Sequence, residues 1–204
     1  EVLAEQRTAH PGVEVRLLLS LNRAGDPAVE SSHVPLAIAA AGRPDGSAVC
    51  GVELGGPAVD GEWEAFESAC TAARTAGLAV ALHCGEDAGR QLEWARMIRW
   101  KPDRLGHCIL LDDTNMAAVR AAGIPVEIAL TCHLRHFGVP VRQNRAFRRL
   151  ATERLATLAT DNPSFYGVSL SSEFALCCRE HDITVRQLVS LARRAVDFAF
   201  VSPA

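Results

Sequence analysis

Leu78-Ala79-Val80-Ala81-Leu82-His83-Cys84-Gly85-Glu86 is the stretch on which the reading of this chain turns. Its first five residues form a short apolar run of Leu, Ala and Val, the composition of a parallel strand buried on both faces. Directly after it come an imidazole, a thiol, a glycine and a carboxylate. In α/β proteins the carboxyl ends of parallel strands form the face on which chemistry is done. A metal-capable histidine with a carboxylate three residues later is a hydrolytic pair in that setting. The same four residues would also serve merely to close a strand-to-helix loop.

Working outward, similar apolar runs at 13–19, 48–54, 104–107, 125–130 and 155–160 read as strands. Between them the pattern is helical. Pro35 suits the first turn of a helix running to about Ala41, and the segment from Asn22 to Asp26 reads as loop. Trp63, Phe66, Cys70 and Ala73 fall on one helical face ended by Gly77. A helix from Gln91 to Trp100 is broken by Pro102, and one capped by Asp112 or Asp113 is stopped by Gly123. Residues 143–154 and 169–180 read as helices. The last helix opens on a Thr184/Gln187 capping box and carries Val185, Leu188, Val189, Ala192 and Val196 as its core face. Residues 1–11 read as polar loop and 43–47 as turn. No linker or low-complexity segment interrupts the chain, so 1–204 reads as a single domain.

Strand and helix thus alternate six times, the signature of a parallel sheet covered by helices. An eightfold barrel typically takes ~250 residues. A chain of 204 therefore suits an open doubly wound sheet or a barrel short of two strands.

Composition narrows the function classes. Hydrophobic residues make up 49% and charged residues 22%, as in ordinary globular proteins. A net charge of -3 gives no electrostatic case for nucleic-acid or membrane partners. No apolar run reaches the ~20 residues of a membrane span, and no basic-then-apolar leader opens the chain. The seven cysteines are scattered without a C-x-x-C pair, which fits neither a disulfide framework nor a thiolate zinc site. The expected compartment is the cytoplasm and the expected state a monomer.

The residues at the strand ends are Gly55-Gly56, His83 with Glu86, His107, His133, and Asp161 with Asn162. Zinc takes such N and O ligands in a site left open for water, and bound water becomes a nucleophile near neutral pH. An unligated histidine can take the water's proton and a glutamic acid can protonate the substrate. Each residue also has a plainer reading: His107 as a buried structural histidine, Asp161-Asn162-Pro163 as a turn opener, His133 as structural or surface. Their recurrence at successive strand ends is the signal. His10, His33 and His181 sit in polar segments and receive no role.

This pattern resembles the adenosine/AMP deaminase family, and within it the adenosine deaminase-like subgroup, the N6-methyl-AMP deaminases of plant type. The matching stretches are Gly51-Val-Glu-Leu-Gly-Gly56, Gly61-Glu-Trp-Glu-Ala-Phe66, Leu82-His-Cys-Gly-Glu86, Lys101-Pro-Asp-Arg-Leu-Gly-His107, Ile124-Pro-Val-Glu-Ile128, Thr160-Asp161 and Ser169-Leu-Ser-Ser-Glu173. The resemblance implies a (β/α)8 TIM barrel of metal-dependent hydrolase type, of which strands 3–8 would be present. It implies one zinc and hydrolytic deamination at C6 of a purine nucleotide, N6-methyl-AMP giving IMP and methylamine. By the same resemblance His83 and Asp161 are zinc ligands, Glu86 protonates the purine ring nitrogen, and His107 orients and deprotonates the zinc-bound water. Gly56 and Asn162 contact the purine.

The departures are equally specific. The family's first strand carries His-x-His, two further zinc ligands, and no such motif occurs in this sequence, which begins at Glu1 rather than Met. Those ligands are expected from a strand upstream. Asn162 stands where the family has a second aspartate, Thr131-Cys132-His133 where it has Thr-Ser-Asn, and Arg145-Ala146-Phe147 where it has His-His-Phe. The competing expectation is a catalytically inactive, truncated or divergent member that binds nucleotides or serves as an interaction surface. A third is another metal-dependent barrel hydrolase acting on a ring amide.

Overall fold

The structure is a computed structural model that describes residue 5 and residues 8–43, 48–57 and 62–201. The turn expected at 44–47 and Gly61 of the quoted 61–66 stretch lie outside the described residues. The chain forms two compact units, 1–80 with 200–204, and 81–199. All strand pairings given below are parallel, and the strands are ordered along the sheet as along the chain.

In the first unit β1 (Leu17–Asn22) pairs with β2 (Val49–Gly55) from Leu17↔Val49 to Asn22↔Gly55, with the register shifting by one residue between Leu17 and Leu18. Two short helices connect them, α1 (Pro27–Ser31) and α2 (His33–Ala41). The strand starts later than the apolar pattern predicts. β2 itself begins at Val49, with the Ala48 carbonyl accepting Leu17 N–H (2.7 Å), and Val13 and Val15 are exposed at 58% and 37%. It then runs on through Ser20-Leu21-Asn22 because β2 continues to Gly55. The expected loop from Asn22 is shorter than read. Asp26 Oδ1 accepts the amides of Ala28 (2.8 Å) and Val29 (3.4 Å), and Pro27 at the first helical position starts α1. Trp63, Phe66, Cys70 and Ala73 are fully buried as their spacing predicts. A 3-10 turn at Trp63–Ala65 precedes the regular helix α3 (Glu67–Thr75).

The second unit takes up β3 (Ala79–Cys84) after its first two residues. It continues with α4 (Gln91–Trp100), β4 (Arg104–His107), α5 (Asp113–Ala122), β5 (Val126–Ile128), α6 (Leu130–Arg135), α7 (Arg145–Thr152), β6 (Ala156–Leu158), α8 (Pro163–Tyr166), α9 (Leu170–His181) and α10 (Val185–Asp197). Leu82, Leu105, Val126, Ile128 and Ala156 are fully buried and form the strand core. The middle of this unit follows its local signals closely. α4 and β4 have the boundaries read from sequence, Asp112 caps α5 through Asn115 N–H (2.7 Å), and Gly123 closes it at φ 67°.

Three readings need correction. β5 ends at Ile128 rather than 130, so Thr131-Cys132-His133 ride on a helix instead of a strand end. That helix, α6, has no side-chain cap of its own. Glu173 of α9, fully buried, supplies one by accepting Thr131 N–H (3.1 Å) and the Thr131 hydroxyl. β6 is three residues long, and Pro163 starts the short α8 soon after it. The Thr184/Gln187 capping box is present, but the expected core face of α10 is not its buried face. Val185, Val189 and Val196 are 76%, 45% and 69% exposed, while Leu191 and Arg194 are buried. The helix packs on β6 with a face that hydrophobic spacing does not select. Among the described residues no helix is long and apolar enough to cross a membrane.

Gly85 closes β3 at φ 74°, a conformation that side chains resist. A Cβ there would lie 2.9 Å from Leu111 Cδ2 and 3.1 Å from Cys108 Cα. Gly85→Ala is therefore expected to cost about 2–4 kcal/mol, the left-handed penalty plus overpacking. Gly89 shares a positive φ of 85° but has open space around it, so Gly89→Ala should cost only about 1–2 kcal/mol. Urea denaturation of the two variants checks this, and equal losses would show that packing at Gly85 contributes nothing.

Candidate active site

The site is built where β3 and β4 end side by side. Cys84 pairs with His107 and His83 with Gly106. A Cβ at Gly106 would come within 3.2 Å of His83 Cδ2, so a bare backbone there leaves room for the imidazole. His107 and Cys108 both adopt positive φ, 64° and 53°, which turns the chain sharply at the strand end. Two successive non-glycine residues in that region are a strained arrangement, of a kind that concentrates at functional sites.

Glu86 lies between two imidazoles. Its Oε2 is 3.4 Å from His83 Nδ1 and its Oε1 3.4 Å from His107 Nε2. The two rings meet edge to face at 4.7 Å between centroids. One donor atom from each of His83, Glu86 and His107 lies within 4.8 Å of the others. Two imidazole nitrogens and a carboxylate oxygen match the donor types zinc prefers. These residues therefore suit a metal chemically.

Behind the cluster runs a second chain of contacts. His133 Nε2, on α6, is 3.2 Å from His107 Nδ1, and His133 Nδ1 is 2.7 Å from the side-chain nitrogen of Asn144. Both His133 and Asn144 are fully buried. Asn144 caps α7, its Oδ1 accepting Phe147 N–H at 3.0 Å, so its amide group must face His133 as the donor. His133 then accepts at Nδ1. Burial pushes its pKa down to about 4, so near pH 7 it is neutral and carries its hydrogen on Nε2. That hydrogen is given to His107 Nδ1. Burial also lowers His107 to about 3, with the Glu86 carboxylate opposing and neighbouring histidines reinforcing the shift. His107 consequently holds its own hydrogen on Nε2, facing Glu86. The N-cap of α7 thus sets the tautomer of a histidine two links away.

The structure brings His83, Glu86 and His107 together. Asp161 and Asn162 stand exposed beyond the end of β6, where Asn162 Nδ2 donates to Asp161 Oδ1 (3.1 Å). Asp161 is not a member of the three-donor cluster among the described residues. Its carboxylate acts on the Cys132 thiol, which the Tyr166 hydroxyl contacts at 3.4 Å. Burial pushes Cys132 up to about 12, and the charges of both Asp161 and Glu86 add to that shift. Gly56 closes β2 in the first unit at φ 86°, where a Cβ would fall 2.5 Å from Asn22 Oδ1. Sequence reasoning missed Asn144 and took His133 as structural or surface. The signal for Asn144 is its capping distance to Phe147, three residues on.

A family model described as adenosine deaminase matches residues 4–204. An adenosine deaminase-like protein of Drosophila pseudoobscura pseudoobscura is 30% identical over 203 residues, covering 99% of this chain and 59% of that protein. The N6-mAMP deaminase of Arabidopsis thaliana is 32% identical over 191 residues, covering 92% of this chain and 52% of its own length. A crystal structure of Arabidopsis ADAL complexed with IMP superimposes with a TM-score of 0.84 at 32% identity, over 92% of this chain and 54% of that one. The chain therefore spans between half and three fifths of the length of these relatives. Its six parallel strands belong to the α/β, metal-dependent hydrolase class of (β/α)8 fold, present here in part.

Asn144→Asp keeps an equally good helix cap but can only accept from His133. Both imidazoles should then move their hydrogens from Nε2 to Nδ1, which the ring 15N shifts of His107 and His133 report directly. Unchanged shifts would show that Asn144 does not control the relay. The lowered histidine pKa values also fix an acid response. Between pH ~6.5 and ~3–4 the unfolded chain binds protons that the native one refuses, so stability is full above that window and falls with pH through it. With chelator present, the urea midpoint should be lower at pH 4.5 than at pH 7.5, and the gap should be smaller in His133→Gln.

Proposed function

The chain belongs to the adenosine deaminase family, and from that membership we propose that it serves a metal-assisted hydrolytic deaminase acting at C6 of a purine nucleotide. N6-methyl-AMP, converted to IMP and methylamine, is the substrate this reading selects. The observation that carries it is Glu86 held between His83 and His107 at adjacent strand ends. Two comparisons support it: one matched protein is an N6-mAMP deaminase, and one matched structure is a complex with IMP.

In this reading His83 and Asp161 hold one zinc, together with two histidines of a His-x-His strand outside these 204 residues. The zinc, when bound, lowers the pKa of water to near neutrality. Glu86 takes a proton from the attacking water and passes it to the ring nitrogen next to C6. As the carbon–nitrogen bond breaks, the proton of the hydroxyl now on C6 passes by way of Glu86 to the departing nitrogen, leaving the C6 carbonyl and free methylamine. His107 presents Nε2–H and orients an oxygen by donating to it. With Nδ1 occupied by the hydrogen from His133, it has no free lone pair with which to act as base. Gly56 and Asn162 contact the purine. The position of Asp161 outside the cluster favours a second reading, a nucleotide-binding member without turnover.

Zinc separates the two. A form extended upstream by a strand bearing His-x-His should bind about one zinc per chain and deaminate N6-methyl-AMP. His83→Ala or Asp161→Asn should abolish both metal content and turnover. The 204-residue chain alone should bind zinc weakly and turn over little or nothing. Turnover retained in either variant would sink the assignment.

A further inference from the structure

α7 and α10 enclose a cavity of about 550 Å³ whose lining includes Arg148, Arg154, His181 and Arg194 over an apolar floor of Phe147 and Leu191. Among the described residues no acidic one lines it. Arg194 is only 8% exposed. Its Nη1 donates to Ser190 Oγ (3.2 Å), but its buried Nε has no hydrogen-bond partner. His181 Nε2 is likewise buried and unpartnered. Glu180, next to His181 in sequence, is engaged by Arg142 and Arg179. Burial and the like charge of Arg154 lower the Arg194 pKa, with no carboxylate opposing them. Guanidinium groups keep their charge in proteins, and a buried charge is ordinarily paired. This one is not.

We propose that this cavity is an anion-binding site, and that it takes the phosphate of a small phosphomonoester. Arg194 Nε–H is a donor waiting for an acceptor, and His181 Nε2 becomes one when its ring is protonated, as an arriving phosphate favours. Arg148 and Arg154 supply further positive charge from the rim. Planar guanidinium groups match phosphate oxygens in pairs. The apolar floor, where the Phe147 and His181 rings meet at 4.6 Å between centroids, suits an organic body on the ester rather than bare phosphate. The size lies within the range of small-molecule pockets. A second hollow shares Arg154 and Arg194 and adds Arg186 and Arg193, with Asp197 as its one acid, so the positive field extends beyond the cavity mouth. None of this depends on the proposed deamination. His83, Glu86 and His107 line neither hollow.

The test is calorimetric titration and thermal unfolding of the 204-residue chain with inorganic phosphate and with phenyl phosphate, against chloride at matched ionic strength. Both phosphates should raise the melting temperature, and phenyl phosphate should bind more tightly. Arg194→Met should weaken binding by at least about tenfold. It should not harm folding, because it replaces an unpaired buried charge with an apolar chain. Arg154→Ser, at the exposed rim, should weaken binding less. His83→Ala should leave the phosphate response intact, which separates this cavity from the site at the ends of β3 and β4. No shift beyond chloride, or an equal response in Arg194→Met, would overturn the proposal. Tighter binding of inorganic phosphate than of phenyl phosphate would overturn its organic-ester part.

Discussion

Cys84 of β3 and His107 of β4 lie side by side in parallel register, and two backbone hydrogen bonds extend the match past the strand ends. Cys108 N–H donates to the Cys84 carbonyl and Leu110 N–H to the Gly85 carbonyl, each at 2.8 Å. The segment after β4 is thereby fixed against the segment after β3. The grouping of His83, Glu86 and His107 follows from that fixation. His83 and Glu86 come from one strand end and His107 from the next, and a one-residue slip would turn each side chain to the opposite face. The positive φ angles of Gly85, His107 and Cys108 are the local consequence. They let two chain segments turn within a space that Leu111 already fills.

Burial then decides what the site can do. An exposed histidine near a carboxylate gains basicity, and Glu86 acts on His107 in that direction. Desolvation outweighs it. The outcome is a row of neutral rings whose hydrogens must be distributed among fixed partners, and Asn144 settles the distribution because its oxygen is committed to the start of α7. A helix cap worth about 1 kcal/mol to stability therefore also orients a proton in the candidate active site.

How much of this is legible in the sequence depends on how far away the deciding group lies. α4, β4 and α5 are bounded by Pro102, Asp112 and Gly123, residues that act on their own neighbourhood, and their limits can be read directly. The grouping of His83, Glu86 and His107 is legible for a related reason, since each stands at or just past a strand end. The end of β5 is not. Its apolar run passes into Leu130 without a break, and the helix that interrupts it is capped by Glu173, 42 residues further along. With that helix goes His133, whose position behind His107 cannot be inferred while it is assigned to a strand. α10 fails for another reason. Its periodicity selects Val185, Val189 and Val196, whereas the buried positions include Arg194, a residue no hydrophobic pattern would choose.

The residues that depart from the family pattern bear directly on how protons move. A histidine at 133 brings a second titratable ring into contact with His107, where the family's asparagine would offer an amide. An amide can present either its oxygen or its nitrogen to His107, and so permits either tautomer. A neutral histidine backed by a committed Asn144 permits only one. His107 is then a donor toward Glu86, and the one group between the two imidazoles able to accept a proton is the carboxylate itself. Glu86, 18% exposed along its side chain, is also the member of that pair with the readier path to solvent, His107 being 7% exposed. Under the proposed deamination this arrangement would concentrate proton transfer on Glu86 and leave His107 to hold an oxygen in place. A histidine at 133 would thereby divide between Glu86 and a donor-only His107 an acid–base task that an asparagine there would let them share.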